Sequence, residues 1–378
     1  MNFEHSQEQQ QLADSVRKML AQDYGFEQRK AIVHSAIGVS DKVWATFAEL
    51  GLTAIALPEA DGGFGGGAFD LMEVMQACGE ALVVEPLLDN VGLAGRLVAR
   101  TGTAAQRLAV LPGLIDGTLR LAFAGLEPGR RYEQVPEKTS ARADGSGWML
   151  DGEKCVVIGA PSAQRLVVSA RTGGAVGSAQ GVSLFLVDPQ AEGVKLNPSR
   201  TVDGMRAADV KFNAVKLGAD ALLGSAGDAM PAIEEAVDFA TALLCAEAIG
   251  AMQFANDTTL EYIKTRKQFG VPIASFQVLQ HRMVEMTIVC EQARSMAILA
   301  ASKVDGSASP AERQRAVSAA KVKIADAARH ISQESVQLHG GMGMTEELKV
   351  SHTFRRLTMI AQRFGDADHH LERYAALG

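Results

Sequence analysis

The period of the apolar positions changes twice along the chain. In QEQQQLADSVRKMLAQDY, residues 7–24, Leu12, Val16 and Met19 or Leu20 recur at helical spacing. DKVWATFAELG, residues 41–51, predicts a second helix ending at Gly51 as a C-cap, and LMEVMQACGEAL, residues 71–82, repeats the helical period. From about residue 119 to 225 short runs rich in Val, Leu and Phe take over, among them LRLAFAGL, GWMLDGEKCVVIG, QRLVVSART, GVSLFLVDP and DVKFNAVKL. Gly, Pro, Asp and Ser separate them, which is the pattern of a small antiparallel sheet. From Pro231 the helical period returns, with Ile233, Val237, Ala240, Leu244 and Ala248 forming one stripe of a long helix. The expectation is an α+β fold: an N-terminal helical domain over residues 1–118, a middle antiparallel β domain over 119–225 and a C-terminal helical domain over 226–378.

The loop PEADGGFGGG invites a phosphate cradle, but no Lys-Ser/Thr follows it and no GxGxxG fits, so it reads as a turn. With 378 residues, 47% apolar and 21% charged, the chain is long enough for two or three packed domains. A net charge of −7 without a Lys/Arg cluster argues against nucleic acid, so an anionic ligand must be held by local cations. Cys78, Cys155, Cys245 and Cys290 are widely spaced and suit free thiols in a reducing cytoplasm. The polar start MNFEHSQEQQ has no signal-peptide core and no apolar run approaches ~18 residues, so no membrane span is expected. His369 and His370 are adjacent and on a helix would point about 100° apart, which argues against a metal.

Three stretches carry a resemblance. YIKTRKQFGVPIASFQVLQHRMVEM (262–286), QLHGGMGMTEE (337–347) and FAELGLTAIALPEADGGFGG (47–66) resemble motifs of the acyl-CoA dehydrogenase family, and the helical–β–helical order agrees. The resemblance spans essentially the whole chain and implies a C-terminal four-helix bundle. It implies FAD, with Arg266, Gln268 and Phe269 at its diphosphate and adenosine end, Gln277 nearby, and Gln337 to Gly341, including Gly340, reaching that end from a neighbouring subunit. Arg266 is a forked, permanently charged donor suited to a diphosphate, and the glycine pair allows close backbone approach. The implied reaction is α,β-dehydrogenation of an acyl-CoA thioester: a carboxylate takes the α-proton and the β-hydrogen leaves as hydride to the flavin. Asp238 falls where relatives contact the adenine end of CoA. Electron-transfer flavoprotein is the implied electron acceptor, and a tetramer, homomeric or two-plus-two, the implied assembly.

The chain departs from that family at the chemistry. In QRFGDADHH the position of the usual catalytic Glu holds Phe364, and the alternative base position on the long helix holds Ala240. Glu247 shares a helix face with Ala240 but lies seven residues on, about 10 Å along the axis. It is a candidate base or half of an ion pair between helices. Asp366, two residues past the base position, is the other candidate. At the flavin side, LEPGRRYE and VVIG put Leu126 and Ile158 where the family has hydroxyls. Intact diphosphate motifs beside an altered flavin edge resemble the small subunit of pimeloyl-CoA-type dehydrogenases and heteromeric steroid side-chain dehydrogenases. Three readings remain: a dehydrogenase with a displaced base or a heteromeric partner, a non-catalytic subunit completing another chain's site, or a flavoprotein acting on acyl-CoA without α-proton abstraction.

Overall fold

The computed structural model describes residues 6–377. Six helices come first: α1 (Gln7–Asp23), α2 (Phe26–His34), α3 (Asp41–Glu49), α4 (Ala68–Ala81), α5 (Arg96–Thr101) and α6 (Ala104–Ile115). Ser6 caps α1 through a capping box with Gln9, and α1 buries Ala13, Val16, Met19 and Leu20. Gly51, just past α3, has φ +76, the left-handed conformation expected of a helix-ending glycine.

Eight strands follow: β1 (Leu121–Ala124), β2 (Ser140–Asp144), β3 (Gly147–Ile158), β4 (Arg165–Arg171), β5 (Val182–Val187), β6 (Val194–Arg200), β7 (Arg206–Leu217) and β8 (Leu222–Leu223). They form one sheet in the order β6-β7-β3-β2-β4-β5-β8, with β1 alongside β4. The expectation of a purely antiparallel sheet needs correction: β1 pairs with β4 in parallel, and β2 meets β4 in parallel at Ser140 and Arg171. Asn90, in the buried π-helical segment Leu88–Gly95, accepts the Leu121 N–H at 2.6 Å and so fixes the start of β1. The β3–β7 ladder slips between Lys154 and Val157, leaving Cys155 and Val156 in a bulge.

The long helix α7 (Met230–Thr265) leads to a hairpin of β9 (Lys267–Gln268) and β10 (Val271–Pro272). Then come α8 (Gln277–Asp305), α9 (Pro310–His339), α10 (Lys349–Gln362) and α11 (Ala367–Ala376). Helix α7 contains a window long and apolar enough to cross a membrane, contrary to the expectation, but 89% of that window is buried inside the fold. It is a core helix.

Two compact units emerge from the contacts. One gathers residues 6–30, 68–83 and 241–377; the other holds Ala31–Gly67 and Val84–Ala240. In the first unit α1 lies against α4 through Arg17 and Glu73 at 2.7 Å, and Asp305 at the end of α8 accepts the Ala68 and Phe69 N–H groups that open α4. Helices α4 and α7 touch backbone to backbone. A Cβ on Gly79 would stand 1.9 Å from the Glu247 carbonyl oxygen, and one on Gly250 1.8 Å from that of Gln76. In the second unit the sheet buries Leu150, Val168, Phe185, Val210 and Phe212 as its core.

Candidate active site

At one end of the bundle, α7 stops, α8 starts and α9 stops. Tyr262 stacks on His339 with centroids 4.4 Å apart, Thr259 bonds Ser335 at 2.7 Å, and Arg282 bonds Glu334 at 2.5 Å. These contacts bring the 266–276 hairpin and the glycine turn after α9 to that same end. All seven residues expected to hold the cofactor there, Arg266, Gln268, Phe269, Gln277, Gln337, Gly340 and Gly341, are exposed. The Gln268 amide bonds only the Lys267 carbonyl, at 2.9 Å. Phe269 is 91% exposed at φ +54 and meets only the edge of Phe276, at 6.3 Å. A Cβ on Gly340 or Gly341 would meet nothing within 4 Å. An exposed guanidinium and a glycine turn left open by the described residues are groups that fit the diphosphate end of FAD.

In the second unit the two altered flavin-side segments are brought together. The Cys155 N–H donates to the Leu126 carbonyl at 3.0 Å, which joins the loop after β1 to the β3 bulge. Val156 is half exposed with φ +49, a left-handed conformation that a β-branched residue rarely adopts. The side chains of Leu126, Val156 and Ile158 offer no hydrogen-bonding group here.

Beneath that joint lies a polar cluster that the sequence reading missed. Lys154, fully buried, donates to the Gly125 carbonyl at 2.9 Å, to Ser169 at 3.1 Å and to Glu127 at 3.4 Å. Glu127 in turn accepts the backbone N–H groups of Glu137, Lys138 and Thr139 at 2.8–3.0 Å. Burial pushes the Glu127 carboxyl up, but the Lys138 amide, the Lys154 charge and the Thr139 and Glu137 amides outweigh it and hold it at about 2. Burial draws the Lys154 amine down to about 8, against the pull of Glu127. In the sequence Lys154 stands beside Asp151 and Glu153 in β3, so its burial left no local mark.

The base candidates are all placed. Ala240 and Asp238 are both fully buried on α7. Glu247 is gripped by Arg356 of α10 in a fork: Nε to Oε1 at 2.6 Å and Nη2 to Oε2 at 2.8 Å, both residues buried. Both Glu247 oxygens are thus taken up by one guanidinium, an ion pair between helices. Asp366 caps α11, accepting the His369 N–H at 2.9 Å. Its carboxylate serves the helix end.

Residue 364 itself sits in a turn built from beneath. Phe364 has φ +59 and Gly365 φ +124. Lys321, fully buried on α9, donates to the Ala361 carbonyl at 3.1 Å and to the Gly365 carbonyl at 2.6 Å. Burial draws that amine down to about 8. The Phe364 carbonyl accepts from His370 Nε2 at 3.1 Å, which leaves Nδ1 to accept the Ser318 hydroxyl at 3.2 Å. Burial keeps His370 neutral by pushing its pKa far down. Among the described residues no group of three or more His, Cys, Asp or Glu could hold a metal.

Comparison with known proteins gives the family. Residues 6–118, 122–215 and 226–376 match the N-terminal, middle and C-terminal domain models of acyl-CoA dehydrogenases. The chain belongs to the acyl-CoA dehydrogenase family, a family of FAD-dependent oxidoreductases. Its relatives include the acyl-CoA dehydrogenase FadE12 of Mycobacterium tuberculosis, 33% identical over 372 residues, covering 95% of this chain and 93% of that one. A variant of the Tcur3481–Tcur3483 steroid ACAD superposes with a TM-score of 0.87 at 28% identity over 98% of this chain and 97% of the other. The ChsE4–ChsE5 complex from Mycobacterium tuberculosis, at 24% identity and a TM-score of 0.89 over 100% and 98% of the two chains, shares the fold.

Proposed function

We propose that this chain is the subunit of a heteromeric acyl-CoA dehydrogenase that lacks the base, and that a partner subunit supplies the carboxylate. One observation carries this reading. Both base positions hold side chains that accept no proton, Ala240 and Phe364, while the two candidate carboxylates are engaged elsewhere, Glu247 with Arg356 and Asp366 with the start of α11. The names of two structural neighbours, ChsE4–ChsE5 and Tcur3481–Tcur3483, pair two gene products, which supports a heteromer.

Bound here, FAD would supply the hydride acceptor for the β-hydrogen of the thioester. The contribution of this chain is to hold it. Arg266 supplies a planar cationic fork for the diphosphate, Gln268 and Gln277 supply amide donors nearby, and Gln337 with the Gly340–Gly341 backbone meets that end of the cofactor, that of a neighbouring subunit's FAD included. Phe269, Phe276, Val278, Val284, Ile288, Met342 and Met344 are exposed on the same unit, an apolar surface suited to a partner chain. Electron-transfer flavoprotein is the acceptor this reading implies. Four free thiols, three of them buried, suit a reducing cytoplasm.

The test is a visible spectrum of the purified chain, alone and with a co-expressed dehydrogenase subunit, before and after anaerobic addition of a panel of acyl-CoAs. A flavin that bleaches only in the co-expressed complex is the expected result. Bleaching in the chain alone would overturn the reading, and Glu247→Gln and Asp366→Asn would then locate its base. A yellow complex that no saturated thioester bleaches points instead to chemistry without α-proton abstraction.

A further inference from the structure

The turn that carries residue 364 owes none of its described hydrogen bonds to the side chain at 364. Its backbone is held at four points: the Ala361 and Gly365 carbonyls by Lys321, the Phe364 carbonyl by His370, and the Gly365 N–H by the Gln362 carbonyl at 3.3 Å. Asp366 anchors the exit by capping α11. Lys321 also places a positive charge at the C-terminal end of α10, where the helix dipole favours it. Gly365 cannot be replaced, since a Cβ there would lie 2.4 Å from His369 and 2.8 Å from His370 Nε2. Phe364 can be. It is only half-buried, and its ring packs under the Arg363 guanidinium at 4.6 Å.

We propose that Lys321 and His370 are positioning residues that keep the seat of a catalytic base fully formed in a chain that has lost the base, so that Phe364→Glu alone installs a working one. This rests on reading position 364 as the base position of the family. The installed carboxylate would take the α-proton of a bound thioester: the C–H bond breaks, an O–H bond forms, and the electron pair passes into the thioester enolate. Return of a solvent proton reverses each change, so the exchange needs no oxidant.

The experiment uses the flavin-loaded protein as purified, with the base of any copurifying subunit replaced by Gln in every sample. Deuterium incorporation from D2O at the α-carbon is followed by mass spectrometry over a panel of acyl-CoAs whose binding is measured by calorimetry. Phenylacetyl-CoA belongs in the panel because it has no β-hydrogen to give up and so reports proton transfer alone. The expected result is exchange in F364E at least about 100-fold above the parent, the lower end of what a positioned general base contributes. K321M in the F364E background should abolish that gain while thioester binding persists, a split that a merely structural lysine would not produce. Melting supplies a readout free of activity: F364E and F364L should stay within about 2 °C of the parent, while K321M falls by more than about 5 °C. A fall in F364E and F364L as deep as that of K321M would sink the proposal, because the side chain at 364 would then be holding the turn. Binding without exchange in F364E overturns the seat and leaves the family reading of the chain standing. No binding of any thioester overturns the acyl-CoA reading along with it.

Discussion

Glu127 and Lys154 show how a single buried charge can organise a loop. The Glu127 carboxylate gathers three successive N–H groups, Glu137 to Thr139, at a point where no strand partner takes them, and Lys154 neutralises it from below. Glu127→Gln turns an amide NH2 toward donors and leaves Lys154 without its counter-charge. A loss of about 2–4 kcal/mol at neutral pH is expected from denaturant unfolding. The sign with pH follows from the carboxyl standing at about 2 in the fold against 4.5 when free. Its stabilisation is complete above 4.5 and fades as pH falls through 2, so the gap between parent and variant should close over that range. A gap that stays constant would show that the carboxylate charge is not what holds the loop. At this scale the sequence was uneven in what it revealed. That neither Phe364 nor Ala240 can serve as a base was legible, because both are the wrong residue types wherever they point. The commitment of Glu247 to Arg356 was not legible, since 109 residues separate the partners and no local pattern links them.

At the scale of elements, the helices were legible from their period and their ends from their caps, as Ser6 and Gly51 illustrate. Where the sheet departed from expectation the reason is topological. Four residues of β1 carry no mark of direction, and only their pairing with β4 makes that edge parallel. The apolar window of α7 has the length and composition of a membrane span yet lies 89% buried, because a core helix surrounded by other helices needs the same composition. The glycines of the α4–α7 crossing let the two helix backbones approach closely. Gly250→Ala would drive a methyl group into the Gln76 carbonyl, 1.8 Å from an ideal Cβ, and neither backbone can yield without parting the helices. A loss of about 3 kcal/mol or more is expected, although Ala is the better helix former by about 1 kcal/mol. An unchanged denaturation midpoint would mean that the crossing is looser than the contact indicates.

Across the whole molecule, the buried amines dominate the alkaline response. Lys154, Lys321 and Lys349 stand at about 8 against 10.5 in the free side chain. Between those values the unfolded chain binds more protons than the folded one, so stability rises with pH from about 8. Buried thiols oppose this above 9: Cys245 and Cys290, pushed up by burial to about 12 and 11, keep protons that the unfolded chain gives up. Melting temperatures measured at pH 8 and 9 should therefore rise across that interval, and a fall would mean that these amines lose more in donated hydrogen bonds than they gain in discharge. The whole-chain architecture was the most legible level, because two changes of period divide the chain into helical, sheet and helical parts. The independence of the 361–366 turn from its own side chain at 364 has a consequence for descent. In the reading proposed above, one copy of a duplicated gene can drift at that position without losing its fold, so a division of labour between a subunit that does chemistry and one that only scaffolds begins with a single codon and is undone by another.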